Sequence, residues 1–174
     1  SFENSVWDKN VFCGVDERGV YRFSRGRLTA LSPLPGDLQR RINNRIEEDL
    51  ALCVKHKAPI VITSLGAREE VNKAVHSYGG IVLHDIINIV FAHKALEKGA
   101  DGLIAVCAGA GGHAGVLSPF ALISEIREFF DGPLALSGAI STGAQVLATQ
   151  AMGADFAYIG SAFIPTHEAR APEN

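Results

Sequence analysis

His113 is the one large polar side chain in a run of small residues, AGAGGHAG at 108–115. Imidazole titrates near neutrality, so a histidine in an open loop can remove or donate a proton during a reaction. The glycines at 109, 111, 112 and 115 free the backbone to enter left-handed conformations and let a ligand approach with no Cβ in the way. A lone histidine is most often simply exposed, but a solvent loop has no need of so many glycines beside a bulky ring. Two later loops join a glycine to a small hydroxyl, Ser137-Gly138-Ala139 and Gly160-Ser161. Backbone N–H groups free of side-chain obstruction form an anion site. One such loop reads as a plain strand end. Two in succession, with the 108–115 run, favour a phosphate.

Other chemistries are excluded or weakly supported. The 108–115 run lacks the GxGxxG spacing, following helix and distant acidic residue of a dinucleotide fingerprint, and no Gly-Lys-Ser/Thr ending marks a P-loop. Ser64-Leu65-Gly66 and His84-Asp85 also fall after predicted strands. Adjacent residues of an extended chain point to opposite sides, so Asp85 is expected to cap the following helix rather than orient the imidazole. His56, His76, His93 and His167 fall on predicted helices or their ends and read as surface residues. No His/Asp/Glu cluster has metal-ligand spacing. Cys13, Cys53 and Cys107 show neither disulfide nor zinc spacing, and Cys107 reads as a small apolar residue at a strand end.

The elements that must position these loops alternate regularly. Short apolar runs at 59–64, 81–83, 103–107, 133–136 and 156–159 predict five buried strands. Between them the pattern predicts helices over 38–56 (with a stripe at Ile42, Ile46, Leu50 and Val54), 68–78, 86–98, 119–130 and from Ser141 or Thr142 to Met152. Such alternation builds a parallel sheet, either doubly wound or part of a (β/α)8 barrel, and periodicity does not choose between them. Residues 1–40 read differently. Val11-Phe12-Cys13 and Val20-Tyr21-Arg22-Phe23 flank a turn and predict a hairpin. Arg22, Arg25 and Arg27 form a basic patch, and 32–37 reads as a Pro/Gly linker.

A chain of 174 residues, 47% hydrophobic and 20% charged, can bury one core. Its net charge of −3 gives no reason to expect nucleic acid or an anionic membrane as partner. No apolar run approaches the ~20 residues of a membrane span, and the N-terminus lacks a signal-peptide layout, which points to the cytoplasm.

With these residues in view, the chain resembles the nitronate monooxygenase family, also known as 2-nitropropane dioxygenases. The resemblance rests on AGAGGHAG at 108–115, LALSGAIS at 134–141, MGADFAYIGSAFI at 152–164 and GADGLIAV at 99–106, and covers about residues 41–170. It implies an FMN-dependent (β/α)8 TIM-barrel fold that oxidises alkyl nitronates or nitroalkanes with O2, giving a carbonyl compound and nitrite. It implies His113 as the catalytic base, Ala110, Gly111 and Gly112 beside the flavin, and Gly138, Ala139, Gly160 and Ser161, next to Ser137, around the FMN phosphate. The family pattern often has a second glycine where Ala139 stands. The family's opening strands and C-terminal extension have no counterpart here. The expectation is therefore an unassigned segment at 1–40 and a partial FMN-binding barrel at 41–174, with only the C-terminal five or so βα units. An open barrel edge favours homo-oligomers. Two alternatives remain: an FMN-dependent enoyl-acyl-carrier-protein reductase, which has a similar Gly-Gly-His loop, and a non-catalytic fragment of the barrel.

Overall fold

The computed structural model describes residues 12–16, 19–24, 27–33, 46–64, 66–111 and 115–163. Contacts divide the chain into two compact units, Ser1–Ile62 with Arg68–Val82, and Thr63–Ala67 with Leu83–Asn174. No helix among the described residues is long and apolar enough to cross a membrane.

The first unit opens with an antiparallel meander of β1 (Phe12–Asp16), β2 (Gly19–Ser24) and β3 (Arg27–Pro33). The hairpin expected at 11–23 is present in β1 and β2, which pair from Phe12↔Phe23 to Asp16↔Gly19. The third strand corrects the reading of 25–33 as a basic patch running into a linker. Its interior, Leu28-Thr29-Ala30-Leu31, is β-permissive, and Pro33 ends a strand at the edge of the sheet, where a missing N–H is tolerated. Helix α1 (Ile46–His56) carries Glu47, Glu48 and Asp49 in its first turn and Lys55 and His56 in its last, the order that complements a helix dipole. Its expected extension over 38–45 lies outside the described residues. The stripe is also shifted: Cys53 is buried and Ile46 is exposed. A spacing of four exceeds the 3.6-residue turn, so such a row drifts around the helix. Helix α2 (Glu69–His76) buries Val71, Asn72 and Val75. The Tyr78 hydroxyl donates to the Ala58 carbonyl at 3.0 Å.

The second sheet contains β4 (Ile60–Thr63), β5 (Ile81–Ile86), β6 (Gly102–Val106), β7 (Leu134–Ser137) and β8 (Phe156–Ala157), in the spatial order β4-β5-β6-β7-β8. The β5/β6, β6/β7 and β7/β8 pairings are parallel. A doubly wound sheet reverses its order at a switch point, whereas a barrel adds each strand beside the last. The order here is therefore that of a (β/α)8-type sheet.

Helices α3 (Ile89–Glu97), α4 (Pro119–Arg127) and α5 (Gly143–Ala151) connect these strands. In the second unit, Ile86, Leu103, Ala105, Leu134 and Leu136 from the sheet share one core with Ala92, Ala95, Leu122, Ile123 and Ile126 from the helices. The start of α3 corrects another expectation. β5 runs on through His84 and Asp85 to Ile86, because the buried alternation Val82, His84, Ile86 continues beside β6. The cap of α3 is Asn88, whose side chain accepts from Phe91 N–H at 3.0 Å, not Asp85. β8 is shorter than expected, although Tyr158 N–H still donates to the Leu136 carbonyl at 2.8 Å.

At the amino ends of β7 and β8, Arg127 forms a clamp. Its Nε donates to the Gly153 carbonyl at 2.8 Å, one terminal nitrogen to the Gly132 carbonyl at 2.8 Å, and the other to Asp155 Oδ2 at 2.7 Å. The same carboxylate oxygen accepts from Leu134 N–H at 2.9 Å.

Candidate functional site

The site begins where β6 ends. Cys107 is fully buried, its N–H donates to the Ser137 carbonyl at 2.8 Å, and burial pushes its thiol up to about 11. The chain then turns, with Ala110 N–H donating to the Cys107 carbonyl at 3.2 Å and Gly109 at φ +87°. Gly109 is required twice over: its φ is left-handed, and a Cβ there would come 2.9 Å from the Cβ of Ala139.

β7 delivers the second loop. Gly138 packs so closely on the first that an added Cβ would lie 3.0 Å from the Ala108 carbonyl oxygen. Ala139 takes φ +50°, and its N–H donates to the Gly109 carbonyl at 2.9 Å. A non-glycine residue in the left-handed region carries a steric cost of about 1–2 kcal/mol, which explains why glycine suits this position.

β8 brings the third loop, which ends in one turn of 3-10 helix, Ser161–Phe163, closed by Phe163 N–H on the Gly160 carbonyl at 3.0 Å. A Cβ on Gly111 would sit 3.2 Å from Ser161 Oγ. The three loops therefore meet: Ala110 and Gly111 from the first, Ser137, Gly138 and Ala139 from the second, Gly160 and Ser161 from the third. Gly112 and His113 lie outside the described residues.

The arrangement fits a phosphate-bearing ligand, with one adjustment. Around Gly160 a Cβ would meet nothing within 4 Å, and the Gly160 and Ser161 N–H groups make no hydrogen bond among the described residues. Ala139 differs, since Gly109 already engages its N–H. Helix α5 begins beside this loop with a capping box. Thr142 Oγ1 accepts from Gln145 N–H, while the Gln145 side-chain oxygen accepts from Ser141 N–H at 2.7 Å and Thr142 N–H at 3.0 Å. Of the two caps expected for this helix, Thr142 is the one used.

Two side-chain pairs at the ends of β4 and β5 were not anticipated. Thr63 Oγ1 and His84 Nδ1 are 2.6 Å apart, and Ser64 Oγ donates to Asp85 Oδ2 at 2.7 Å. The period-two alternation of a strand sends the two pairs to opposite faces. His84 is buried, and that burial lowers its pKa from the ordinary 6.5, against the opposing pull of Asp85 and with a smaller lowering from Lys98. The signal was the alternation Val82-His84-Ile86, which places His84 inside a strand rather than after it. His56, His76 and His93 are exposed, and the His93 ring stacks on Phe129 with centroids 4.1 Å apart.

Sequential parallel strands and three small-residue loops meeting at their carboxyl ends define a (β/α)8-type protein whose candidate site lies on that rim. The chain belongs to the nitronate monooxygenase family, whose model matches residues 33–174, and these family members are oxidoreductases. It is 28% identical over 120 residues to a nitronate monooxygenase of Neurospora crassa, a match covering 62% of this chain and 31% of that protein. Among solved structures it is similar to a nitroalkane oxidase from Streptomyces ansochromogenes, with 31% identity, a TM-score of 0.66, and coverage of 72% of this chain and 40% of that one. It is also similar to a variant of FabK from Thermotoga maritima, with 25% identity, a TM-score of 0.65, and coverage of 71% and 42%. The chain thus spans between about a third and two fifths of the length of these relatives.

Proposed function

We propose that this chain is the FMN-binding part of a cytoplasmic flavin-dependent oxidoreductase. It oxidises alkyl nitronates and nitroalkanes, consuming O2 and releasing a carbonyl compound and nitrite. FMN, when bound, supplies the redox chemistry. The chain's own residues do the binding and the proton work. Gly138, Gly160 and Ser161 offer N–H groups to the phosphate. Ser137 and Ala139 set the shape of that loop. Ala110, Gly111 and Gly112 border the ring. His113 removes the proton α to the nitro group or holds the nitronate.

The observation that carries this reading is the meeting of three small-residue loops at one end of a sheet in a chain of this family. The test is whether the purified protein binds FMN, followed by the flavin absorbance released on denaturation. Stoichiometric FMN is the expected result. A colourless protein that gains no flavin on reconstitution would overturn the reading. The Gly-Gly-His run at 111–113 supports a second reading, enoyl-acyl-carrier-protein reduction. Oxidation of NAD(P)H by the flavin-loaded protein, with no turnover of nitronates, would favour that alternative.

A further inference from the structure

The face of the sheet turned away from the helices changes character as it nears the loops. Leu103, Ala105, Leu134 and Leu136 pack into the core shared with the helices. Ile104 and Ala135 alternate with them on the other face, and the register carries that row on to Phe156, through Ile104↔Ala135 and Ala135↔Phe156. This row is apolar. Nearer the loops, the same face carries Val106, paired with Ser137. Tyr158 joins that second row by alternation: Ala157 before it pairs with Leu136 on the helix side, and Tyr158 N–H donates to the Leu136 carbonyl at 2.8 Å.

The second row thus brings two hydroxyls to the rim of the site on adjacent strands, ~4.8 Å apart. Ser137 immediately precedes Gly138, and only Ile159 separates Tyr158 from Gly160. Tyr158 is 47% exposed and Ser137 is half-buried. Among the described residues neither hydroxyl makes a hydrogen bond. A hydroxyl donates and accepts at once, so two unspent hydroxyls side by side suit a ligand that is itself a polyol. FMN carries one, since its ribityl chain joins the phosphate to the ring. A phosphate held at Gly138, Gly160 and Ser161 sets the adjoining ribityl chain closest to this row.

We propose that Tyr158 and Ser137 are cofactor-binding residues that recognise the ribityl chain of FMN, each exchanging a hydrogen bond with one of its hydroxyls. The proposal rests on the FMN-binding reading above.

The test compares FMN with an analogue that keeps the ring and the phosphate but joins them by a plain pentyl chain. Dissociation constants for the flavin-free protein are read from flavin fluorescence. Tyr158→Phe and Ser137→Ala each remove one oxygen and leave the backbone pairing of the strands in place. Each variant is expected to bind FMN about three- to tenfold more weakly than wild type, the span of one net hydrogen bond. Each should bind the pentyl analogue as tightly as wild type does, because the lost partner is absent from both sides. Equal losses for FMN and the analogue would trace the effect to the ring, the phosphate or the fold, and would overturn the proposal. Unchanged FMN affinity in both variants would overturn it too. In either case FMN binding by the wild type leaves the functional reading standing, whereas a wild-type protein that takes up no FMN overturns both.

Discussion

The N–H of Ala139 donates to the carbonyl of Gly109 at 2.9 Å, joining the loop after β6 to the loop after β7 by backbone alone. No side chain mediates the contact, so its geometry depends on what is missing at Gly109. Gly109→Ala would combine a left-handed φ with a Cβ 2.9 Å from that of Ala139. We expect a stability loss of about 1–3 kcal/mol and at least tenfold weaker FMN retention, read from urea midpoints and flavin titration. Ala139→Gly should retain FMN as wild type does, because it relieves the strained φ and keeps the N–H donor.

His113→Ala should leave FMN binding intact and reduce oxidation of neutral nitroalkanes by about 10²–10⁴-fold, the usual contribution of a positioned base. Nitronates, already deprotonated, should lose less. Steady-state rates with 2-nitropropane and with its nitronate separate the two effects. Equal rates in variant and wild type would remove His113 from the role of base.

The Arg127 clamp predicts a purely structural defect. Asp155→Ala takes the acceptor from both the guanidinium and Leu134 N–H, and should cost about 1–2 kcal/mol, most of it from the part-buried N–H, because the ion pair itself is solvent-screened. Asp155→Asn keeps one acceptor and should cost less. Chemical denaturation of both variants ranks them, and a cost no greater for Ala than for Asn would show that the shared carboxylate is not what holds the ends of β7 and β8.

Acid should weaken the fold through His84. Its pKa is lowered in the folded protein, by burial first, so the unfolded chain binds the extra proton. The associated stability is complete above the unfolded value of about 6.5 and falls as pH drops below it, by at most about 1.4 kcal/mol per pH unit. Urea midpoints measured between pH 7.5 and 5.5 should decline in wild type. His84→Asn, which retains a polar partner for Thr63 but cannot titrate, should show a shallower decline.

Much of this organisation is legible in the residues, for local reasons. Each core strand is a short apolar run closed by glycine or a polar residue, and each helix has a cap or stop nearby, so the β/α alternation can be read directly. Spatial order cannot. Nothing within β6 or β7 says whether the next strand lies beside the last or across the sheet, and only the observed order separates a barrel-type sheet from a doubly wound one. The small-residue loops are recognisable singly, yet the approach of Gly111 to Ser161 spans about fifty positions and has no local signature. Asp85 and Asn88 show the limit of capping rules: both are good cap residues, and the choice depends on how far β5 continues to pair with Leu103 and its neighbours. β3 was obscured because prolines at 33 and 35 outweighed the β-permissive residues before them.

The capping box on α5 has an electrical consequence. In most such boxes the reciprocal acceptor is a choice between Glu and Gln, and both close the exposed N–H groups equally well. Gln145 does so without a formal charge. A glutamate there would set an anion against the positive end of the helix dipole and cancel much of it within the first turn. With the amide in its place, the N–H groups of Ser141 and Thr142 have an uncharged acceptor, and the field of the helix end still reaches outward, toward the loop shared by Gly138 and Ala139.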